Sequence, residues 1–585
     1  MDNVYAKRIE NLRALMRAKA WDAVILTGSD PHGSEYPACR WKQVEWLTGF
    51  TGEAGDVVVT ADHAGLWTDS RYFIQANSQL AGTGVELHKT RVPEQVLIPE
   101  WLSGRFDEDS IIAVDGLCVS AEYTGSLPGS IVSVPNLLDT LWDRRPDIPQ
   151  TPVFTADPGE SRRDKIEFLR GWLRGQGGDS MLLSSLDDIA WTLNVRASDI
   201  EYNPMVISYL LISEDSVEWF VLKGPVEDPE TEQTFAELRE EGISLRQYTD
   251  IELALSQNEG TAILDSNSIN HHFWSICGGD VKLVPSPVQL RKSVKNQTEI
   301  EGMREAHLQD GLAMEKFLYW LENTVSDGVE ITEWDAAVKL GQLRAAIPGY
   351  RGDSFETISA YGPGAALPHY ITPRENAPVI EAHGLYLCDS GGQYDCGTTD
   401  ITRTVPMGDC TDLEKEDYTL VLKGHIALAM AVFPAGTPGC RLDALARGPL
   451  WRAHRNFGHG TGHGIGWFLG VHEGPQSIRQ DLNPTPLIPG MITSDEPGIY
   501  REGLFGIRHE NLVLCVEDGS DEFGHWLKFE TLTLCHFDTS AVIAELLTRE
   551  EREWLNAYNE RVYKTLSPFL PEEISFWLRS KTEAI

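Results

Sequence analysis

Hydrophobic and polar positions follow a mixed helix and strand pattern from the start of the chain. The opening segment, MDNVYAKRIENLRALMRAKAWDAVILTG, carries charges every few residues, which predicts an amphipathic helix followed by a short strand. Further β-rich runs are AGDVVVT, AGLWTD and IIAVDG. This alternation is typical of an α/β domain with a mixed sheet. The Pro-rich stretch RRPDIPQTPVF predicts the end of this first domain near residue 155.

The same order of elements recurs in residues 156–295. A helical pattern, RRDKIEFLRGWLRG, precedes the β-rich run DSMLLSS, a Trp-led segment and the runs PMVISYLLIS and SVEWFVLKG. We interpret the two parts as a diverged internal repeat, although shared architecture without duplication explains the order equally well.

The pattern changes near residue 296. The segment NQTEIEGMREAHLQDGLAMEKFLYWLENT has apolar positions at helical spacing over several turns and predicts a long helix. Gly-rich β-like segments follow, and two helical patterns, LTREEREWLNAYNERVYKTL and PEEISFWLRS, end the chain. The sequence therefore predicts an α/β (α+β) protein with domains at 1–155, 156–295 and 296–585.

Composition narrows the classes of function. The chain has 585 residues, which is too long for one compact core, and 42% of them are hydrophobic. A net charge of -39 opposes binding to nucleic acid or to an anionic membrane surface. The longest apolar runs, VISYLLIS and IALAMAVF, fall short of the ~20 residues of a membrane span.

Two further features predict a cytoplasmic protein. The first segment lacks the apolar core and small-residue cleavage site of a secretory signal. Nine cysteines are scattered singly without a CxxC pair, which favours reduced thiols and indicates no zinc site built from them.

Two carboxylates lie in LYLCDSGGQYDCGTTDITRT. Asp389 and Asp400 flank a Gly-rich turn between β-prone runs, which predicts a hairpin. Antiparallel pairing can place two such side chains on one face of the sheet, where both point at one site. Turn chemistry alone, with aspartates capping nearby backbone amides, explains the motif equally well.

Histidines and glycines are concentrated in RNFGHGTGHGIGWFLGVHEGP. His459 and His463 have the i, i+4 spacing of a helical metal pair, but the glycines around them disfavour a helix by roughly 0.8 to 1 kcal/mol each. We therefore expect extended or looped backbone whose glycines leave room for a ligand. With His472, three histidines in fourteen positions favour a functional site over ordinary buried histidines.

Two glutamates, Glu496 in SDEPGIY and Glu510 in FGIRHEN, lie near the ends of β-prone segments. Buried carboxylates need a charge partner or a metal ion, and Arg501 and Arg508 are the alternative partners. Two Asp, one His and two Glu form an oxygen-rich donor set that suits Mn²⁺ better than a thiolate-seeking metal. More than four donors fit two ions better than one.

These motifs together resemble a known family. PHY at 368–370, DSGGQY, GTTDITRT, HGTGHGIG, VHEGP, EPGIY and GIRHEN are similar to the aminopeptidase P (Xaa-Pro aminopeptidase) branch of the pita-bread metallopeptidases. SEY, WLTGFTG and LWTDSRYF near the N-terminus resemble the first domain of the same family. The resemblance implies two creatinase-N-like α/β domains followed by a C-terminal pita-bread catalytic domain.

The resemblance also implies a set of metal ligands. Asp389 would bind one ion alone, Asp400 and Glu510 would bridge two ions, and His463 and Glu496 would complete the second. The implied ions are two divalent metals, by default Mn²⁺, and their bridging hydroxide is the implied nucleophile. The default assembly is a homodimer.

Catalytic roles follow from the same resemblance. His369, His459 and His472 would line the cleft, hold the scissile carbonyl and the proline, and help deliver a proton to the leaving nitrogen. Glu496 would also act as general base. Arg508 would pair with a metal-bound carboxylate or position substrate, with a plain structural ion pair as the alternative; Tyr500 is a weaker candidate.

The implied reaction is release of the first residue from peptides with proline in second position. The nitrogen of an Xaa-Pro bond carries no hydrogen, so peptidases that bind the N–H of the scissile bond cannot cleave it. Three alternatives remain at this stage: a prolidase limited to Xaa-Pro dipeptides, a metal-free creatinase-like hydrolase and a non-catalytic protein-binding scaffold. The intact five-ligand set disfavours the last two.

Overall fold

The computed structural model describes residues 3–222 and 228–585. It contains two compact units, Met1–Val288 and Gln289–Ile585. Among the described residues, no helix combines the length and the apolar character required to cross a bilayer.

The first half of unit 1 is a six-stranded sheet with helices around it. Val and Ile runs such as DVVVT form its buried strands, as their β-branched side chains favour. Its elements are α1 (Val4–Lys19), β1 (Ala23–Leu26), α2 (Gln43–Thr48), β2 (Asp56–Thr60), β3 (Ala64–Thr68), α3 (Phe73–Gln79), β4 (Glu86–Lys89), α4 (Ile98–Ser103), β5 (Ile111–Val114), α5 (Ala121–Gly125) and β6 (Ser130–Ser133).

The second half of unit 1 contains another six-stranded sheet. The predicted helix and strand runs are present, and the last two residues of SVEWFVLKG lie outside the described residues. Its elements are β7 (Phe154–Thr155), α6 (Arg162–Gln176), β8 (Ser180–Leu183), α7 (Leu186–Leu193), β9 (Val195–Arg196), β10 (Ser208–Ser213), β11 (Val217–Val221), α8 (Pro229–Glu240), β12 (Ile243–Gln247), α9 (Asp250–Ser256), β13 (Thr261–Leu264), α10 (His271–Ile276) and β14 (Asp280–Leu283).

The two sheets of unit 1 share one topology. The strand orders are β4-β3-β2-β1-β5-β6 and β12-β11-β10-β8-β13-β14. In both sheets the first strand in sequence pairs antiparallel with the second and parallel with the fifth, and the third pairs parallel with the fourth. Residues 156–295 therefore have the same sheet architecture as the first domain, which is consistent with both a diverged repeat and shared architecture without duplication.

Helix α11 (Pro287–Ser293) spans the division between the units. The other elements of unit 2 are α12 (Gln297–Ser326), α13 (Glu333–Ala345), β15 (Tyr350–Asp353), β16 (Ile358–Tyr361), β17 (Leu385–Ser390), β18 (Gly392–Tyr394), β19 (Gly397–Thr398), β20 (Ile401–Pro406), α14 (Asp412–Ala429), β21 (Val432–Pro434), α15 (Asp443–Arg452), β22 (Gly462–Gly464), β23 (Glu473–Ile478), β24 (Ile492–Asp495), β25 (Gly498–Arg501), β26 (Phe505–Arg508), β27 (Asn511–Asp521), β28 (Gly524–Thr531), α16 (Arg549–Leu566) and α17 (Glu572–Lys581).

The long helix α12 begins with a capping box. The Asn296 side chain accepts from the Glu299 amide, and the Glu299 carboxylate accepts from the Asn296 amide. This reciprocal pair satisfies two amides that a helix start leaves without intrahelical partners. The predicted helix therefore begins where its sequence pattern indicates.

The residues just before α12 are fixed by a buried ion pair. Lys295 Nζ lies 2.6 Å from Glu473 Oε1, and Lys292 Nζ lies 3.6 Å from the other Glu473 oxygen. All three side chains are at most 2% exposed. The pair joins the segment that leads into α12 to the start of β23.

Antiparallel sheets position the candidate residues of unit 2. One sheet has the order β16-β17-β20, and a six-stranded sheet has the order β21-β28-β27-β24-β22-β23. A separate ribbon pairs β25 with β26. The strands of these sheets are rich in buried Val, Ile, Leu and Thr, which pack densely against one another.

Candidate active site

The predicted hairpin around Asp389 is present. Strand β17 pairs with β20, and Asp389 is the partner of Thr402 in this register. Asp400 precedes Thr402 by two positions, so it lies on the same face, diagonally from Asp389. Both aspartates are buried, at 8% and 3% exposure. The turn between them contains two further short strands, β18 and β19, which pair with each other.

Glycine-rich backbone presents His463 as extended chain, as predicted. His463 is the central residue of β22, and its Nε2 lies 3.5 Å from Asp400 Oδ2 and 3.5 Å from Glu496 Oε1. Its Nδ1 lies 3.0 Å from the Gly464 carbonyl, so Nδ1–H donates there. The Nε2 lone pair therefore faces the two carboxylates, which is the tautomer that a metal ligand requires.

The glycines on either side of His463 make room for neighbouring strands and not for a ligand. A Cβ on Gly462 would lie 2.0 Å from the Ser494 carbonyl oxygen, and one on Gly464 would lie 2.0 Å from that of Glu473. The expectation that these glycines make room for a ligand is wrong, because the space they leave is filled by neighbouring strands. Their absent side chains let β23 and β24 approach β22 closely.

Glu510 and Glu496 lie next to the ends of two adjacent strands of the six-stranded sheet. Glu510 precedes β27 and is 2% exposed, and its Oε2 accepts from Thr402 Oγ1 at 2.6 Å. Glu496 follows β24, and its Oε1 accepts from Ser494 Oγ at 3.2 Å. Arg501 pairs with Asp417 and with neither glutamate.

The carboxylates of the cluster are crowded and desolvated. Burial, followed by the charges of Asp400 and the other carboxylates, raises the pKa of Glu510 well above its usual range. Burial raises the pKa of Glu496 to about 7, and burial also raises that of Asp389 despite the neighbouring Arg508 guanidinium. Such mutual repulsion among buried carboxylates is relieved by a bound cation.

The donor set fits metal ions. Single ligand atoms of Asp400, His463 and Glu510 all lie within 4.8 Å of one another. Asp389 Oδ1 and Asp400 Oδ1 are buried and have no hydrogen-bond partner among the described residues. Buried carboxylate oxygens without donors, beside an imidazole lone pair, are suited to hard or borderline divalent cations.

Arg508 lies on β26 and faces Asp389. Its Nε donates to Asp389 Oδ2 at 3.2 Å, its Nη2 donates to the same oxygen, and its Nη1 donates to the Tyr500 hydroxyl at 2.7 Å. The guanidinium is 3% exposed. Arg508 therefore binds both the Asp389 carboxylate, a predicted metal ligand, and the Tyr500 hydroxyl.

The three remaining histidines differ in their surroundings. His459 Nε2 lies 2.7 Å from the Tyr500 hydroxyl, and burial together with the Arg508 charge lowers the pKa of His459 to about 3. His472 packs edge-on against His463, with ring centroids 4.4 Å apart. His369 is half-buried and lies close enough to contribute to the lowered pKa of His459.

Sequence reasoning missed the residues that hold these groups in place. Thr402 donates to Glu510 and accepts from Arg508 Nε at 3.2 Å. His425 on α14 donates from Nδ1 to the Asp495 carbonyl at 3.0 Å and accepts at Nε2 from Asn511. Thr402 lies two positions after Asp400, and this spacing could have indicated that both side chains are on one face of the strand. His425 lies within an apolar helical run, and no sequence signal distinguishes it.

Comparison with family models divides the chain into four matches. Residues 8–141 match the Creatinase/Prolidase N-terminal domain, and 144–299 match a second model of that description. Residues 301–517 match metallopeptidase family M24, and 525–585 match the C-terminal region of peptidase M24. Creatinase-type N-terminal domains therefore precede an M24 pita-bread domain.

Curated relatives match over almost the whole chain. A probable Xaa-Pro aminopeptidase P of Botryotinia fuckeliana is 39% identical over 99% of this chain and 93% of the relative. Aminopeptidase P1 of Arabidopsis thaliana is 36% identical over 99% of both chains.

A solved structure matches equally well. The X-prolyl aminopeptidase of Caenorhabditis elegans, described as a cytosolic enzyme with a di-nuclear active site, superposes with a TM-score of 0.93 at 35% identity. The match covers 99% of this chain and 100% of that one. The full-length identity and the shared fold together place the chain in metallopeptidase family M24, as a member of the Xaa-Pro aminopeptidase P family.

Proposed function

We propose that this protein is a dinuclear metal-dependent aminopeptidase that releases the N-terminal residue from peptides with proline in second position. The observation that carries the proposal is the cluster of Asp400, His463 and Glu510, whose ligand atoms lie within 4.8 Å of one another. The proposal is further supported by relatives of that activity over the full chain length.

We assign the five sequence-predicted ligands to two divalent ions. Asp389, Asp400, His463, Glu496 and Glu510 would hold these ions. When bound, such ions would lower the pKa of a bound water and polarise the scissile carbonyl. Mn²⁺ is the proposed metal, because four carboxylates and one imidazole suit it.

The proton chemistry is assigned to this chain's own residues. Glu496 Oε1 lies 3.5 Å from His463 Nε2, and we assign Glu496 as the base that would take a proton from the attacking water. His459 is neutral, with Nδ1 donating to the Gly460 carbonyl at 2.7 Å, so its Nε2 accepts from Tyr500. We assign His369 and His472 to the substrate cleft, where they would hold the substrate carbonyl and the proline.

Arg508 has a positioning role in this proposal. Its guanidinium fixes the Asp389 carboxylate from behind through two donors and leaves Asp389 Oδ1 unbonded among the described residues. Two donors to the same oxygen, Asp389 Oδ2, set the orientation of the carboxylate.

Assembly, location and domain limits complete the proposal. We propose a homodimer in the cytoplasm, with domains at 1–155, 156–295 and 296–585. A relative described as cytosolic supports the location. The N-terminal domains would act in dimer formation and in limiting substrate length.

The decisive experiment compares three peptides with chelator-stripped protein, with and without added Mn²⁺. We expect metal-restored release of arginine from Arg-Pro-Pro and no cleavage of Arg-Ala-Ala. Cleavage of Arg-Pro alone would identify a prolidase, and cleavage of none would leave a protein-binding scaffold.

A matched pair of variants tests the ligand assignment. Asp400→Asn should lose bound metal and reduce turnover by more than the roughly 10- to 100-fold typical of outer-shell changes. Asp395→Asn alters an exposed aspartate of the same hairpin, paired with Arg351, and should leave both unchanged. Equal metal content in the two variants would refute the assignment.

A further inference from the structure

A second cluster of potential ligands lies in unit 1, on the sheet of the first domain. His63 Nε2 and His88 Nε2 are 3.1 Å apart, and His63 Nδ1 lies 3.8 Å from Glu86 Oε2. One ligand atom from each of the three residues lies within 4.8 Å of the other two. The function proposed above does not use this cluster.

The sheet brings these three residues to one face. Strands β3 and β4 pair in parallel, with Gly65 opposite Glu86 and Trp67 opposite His88. His63 ends the turn that leads into β3, two positions before Gly65, so it points to the same side. The cluster therefore links the β2–β3 turn to β4, which is the edge strand of its sheet.

The two imidazole rings are held in place by aromatic neighbours. His88 stacks on Trp67 with centroids 3.8 Å apart and an interplanar angle of 4°. His63 packs against Trp101 of α4 at 4.8 Å. Fixed rings lose little freedom when they bind an ion, which favours a preorganised site.

Gly65 permits the close approach of the rings. A Cβ at this position would lie 2.7 Å from His63 Nε2 and 2.8 Å from His88 Cδ2. Any side chain here would separate the two nitrogens. The glycine is thus a requirement of the cluster and not of a turn.

The protonation state suits metal binding. Burial lowers the pKa of both His63 and His88, so both rings are neutral at physiological pH, the form that binds metals. Asp62 and Glu86 add negative charge near His63, while Arg105 and Arg13 add positive charge. The strongly acidic chain as a whole attracts cations.

We propose that His63, His88 and Glu86 form a binding site for a zinc-type divalent ion. Two nitrogens at the usual ~2.0 to 2.1 Å from a tetrahedral ion are about 3.3 Å apart, close to the separation found here. Two imidazoles and one carboxylate bind Zn²⁺ more tightly than Mn²⁺. Glu86 is 70% exposed, so solvent completes the coordination. A bound ion would link the edge strand β4 to the turn between β2 and β3.

The first test counts zinc ions. Full-length wild type and a His63→Gln/His88→Gln double variant are stripped with chelator, dialysed against Zn²⁺ with excess Mn²⁺, and analysed by elemental mass spectrometry. We expect one zinc ion more per chain in the wild type. The control His525→Gln, at an exposed histidine of unit 2, should match the wild type. Equal zinc in wild type and double variant would overturn the proposal.

A second variant keeps the test decisive if the double variant is unstable. Glu86→Gln changes an exposed side chain and should not affect folding. We expect its zinc affinity at this site to fall by more than the roughly 10-fold that is the lower end of outer-shell changes, measured by competition with a zinc-sensing dye. An unchanged affinity would exclude Glu86 as a ligand and with it the three-residue site. Unchanged peptide hydrolysis by each variant would show that unit 2 is intact.

Discussion

The hydroxyl of Tyr500 lies between two charged or basic groups, at 2.7 Å from His459 Nε2 and 2.7 Å from Arg508 Nη1. Arg508 donates to this hydroxyl and His459 accepts from it, so the hydroxyl hydrogen of Tyr500 points towards His459 Nε2. Arg508 in turn holds Asp389, so a single chain of hydrogen bonds joins a predicted metal ligand to a cleft histidine.

Replacing Tyr500 with phenylalanine breaks this chain without changing the metal ligands. We expect Tyr500→Phe to retain its metal content and to lose roughly 10-fold in kcat, because His459 is no longer oriented. Steady-state kinetics on Arg-Pro-Pro with parallel metal analysis measures both. A rise in KM with unchanged kcat would instead assign Tyr500 to substrate binding.

Glu510→Gln should affect stability in opposite directions with and without metal. The pKa of Glu510 is raised by burial and by neighbouring carboxylates, so in chelator the folded chain loses stability as pH rises above about 4.5, the unfolded value. Removing this charge should therefore raise the unfolding midpoint at pH 7.5 in chelator. Each kcal/mol gained corresponds to roughly 2 to 4 °C.

With Mn²⁺ the order should reverse, because the wild type gains binding energy that a neutral amide in place of the Glu510 carboxylate cannot supply. Differential scanning calorimetry in both buffers checks this crossover. A variant less stable than the wild type in both buffers would show that Glu510 is held by fixed hydrogen bonds and not by a cation.

Gly391→Ala should disturb the hairpin that carries the two aspartates. A Cβ on Gly391 would lie 2.0 Å from the Thr399 carbonyl oxygen and 2.2 Å from Ser354 Oγ. We expect a loss of about 1 to 3 kcal/mol in unfolding free energy and weaker metal binding. Gly341→Ala, on α13 with open space around it, should be neutral or slightly stabilising. Chemical denaturation and metal titration measure both effects.

His32 should make unit 1 sensitive to acid. Its ring lies 2.9 Å from the Ser184 carbonyl and 2.9 Å from the Tyr248 hydroxyl, and burial lowers its pKa. Below about pH 6.5 the unfolded chain binds a proton that the folded chain excludes, so stability falls as pH falls. Between pH 7.5 and 5.5 this costs up to about 1.4 kcal/mol.

The His32→Gln variant should show a smaller loss of unfolding free energy over this pH range than the wild type. Urea denaturation at several pH values measures the difference, with His525→Gln as an exposed control. Parallel pH profiles of His32→Gln and wild type would show that His32 is protonated in the folded state.

The sequence pattern predicted much of this fold because the strands that carry the candidate ligands are recognisable from their own residues. The β-prone residues around Asp389 and Asp400 predicted a hairpin that can place both carboxylates on one face, although turn chemistry explained the motif equally well. Glycines around His463 sufficed to exclude a helix. Apolar positions at helical spacing predicted α12, and the capping box of Asn296 and Glu299, which the structure shows, defines where it begins.

The parts that escaped prediction depend on contacts between distant segments. Thr402 meets Arg508 across more than a hundred positions of sequence, and neither residue type is unusual in a strand. The purpose of Gly462 was misjudged for the same reason, since the Ser494 carbonyl that fills its space comes from another strand. Local patterns indicate which residues lie on a face, while packing decides what they touch.

The buried pair of Lys295 and Glu473 sets a limit on how unit 2 can be isolated. A fragment that begins at residue 289 keeps both Lys292 and Lys295, whereas one that begins at 296 leaves the Glu473 carboxylate enclosed without a cation. An unpaired buried charge of this kind costs about 3 to 5 kcal/mol. If the fragment that begins at 296 fails to fold or to cleave peptides, the loss of Lys292 and Lys295 as partners of Glu473 is a sufficient cause. Such a failure would not by itself show that catalysis requires the N-terminal domains.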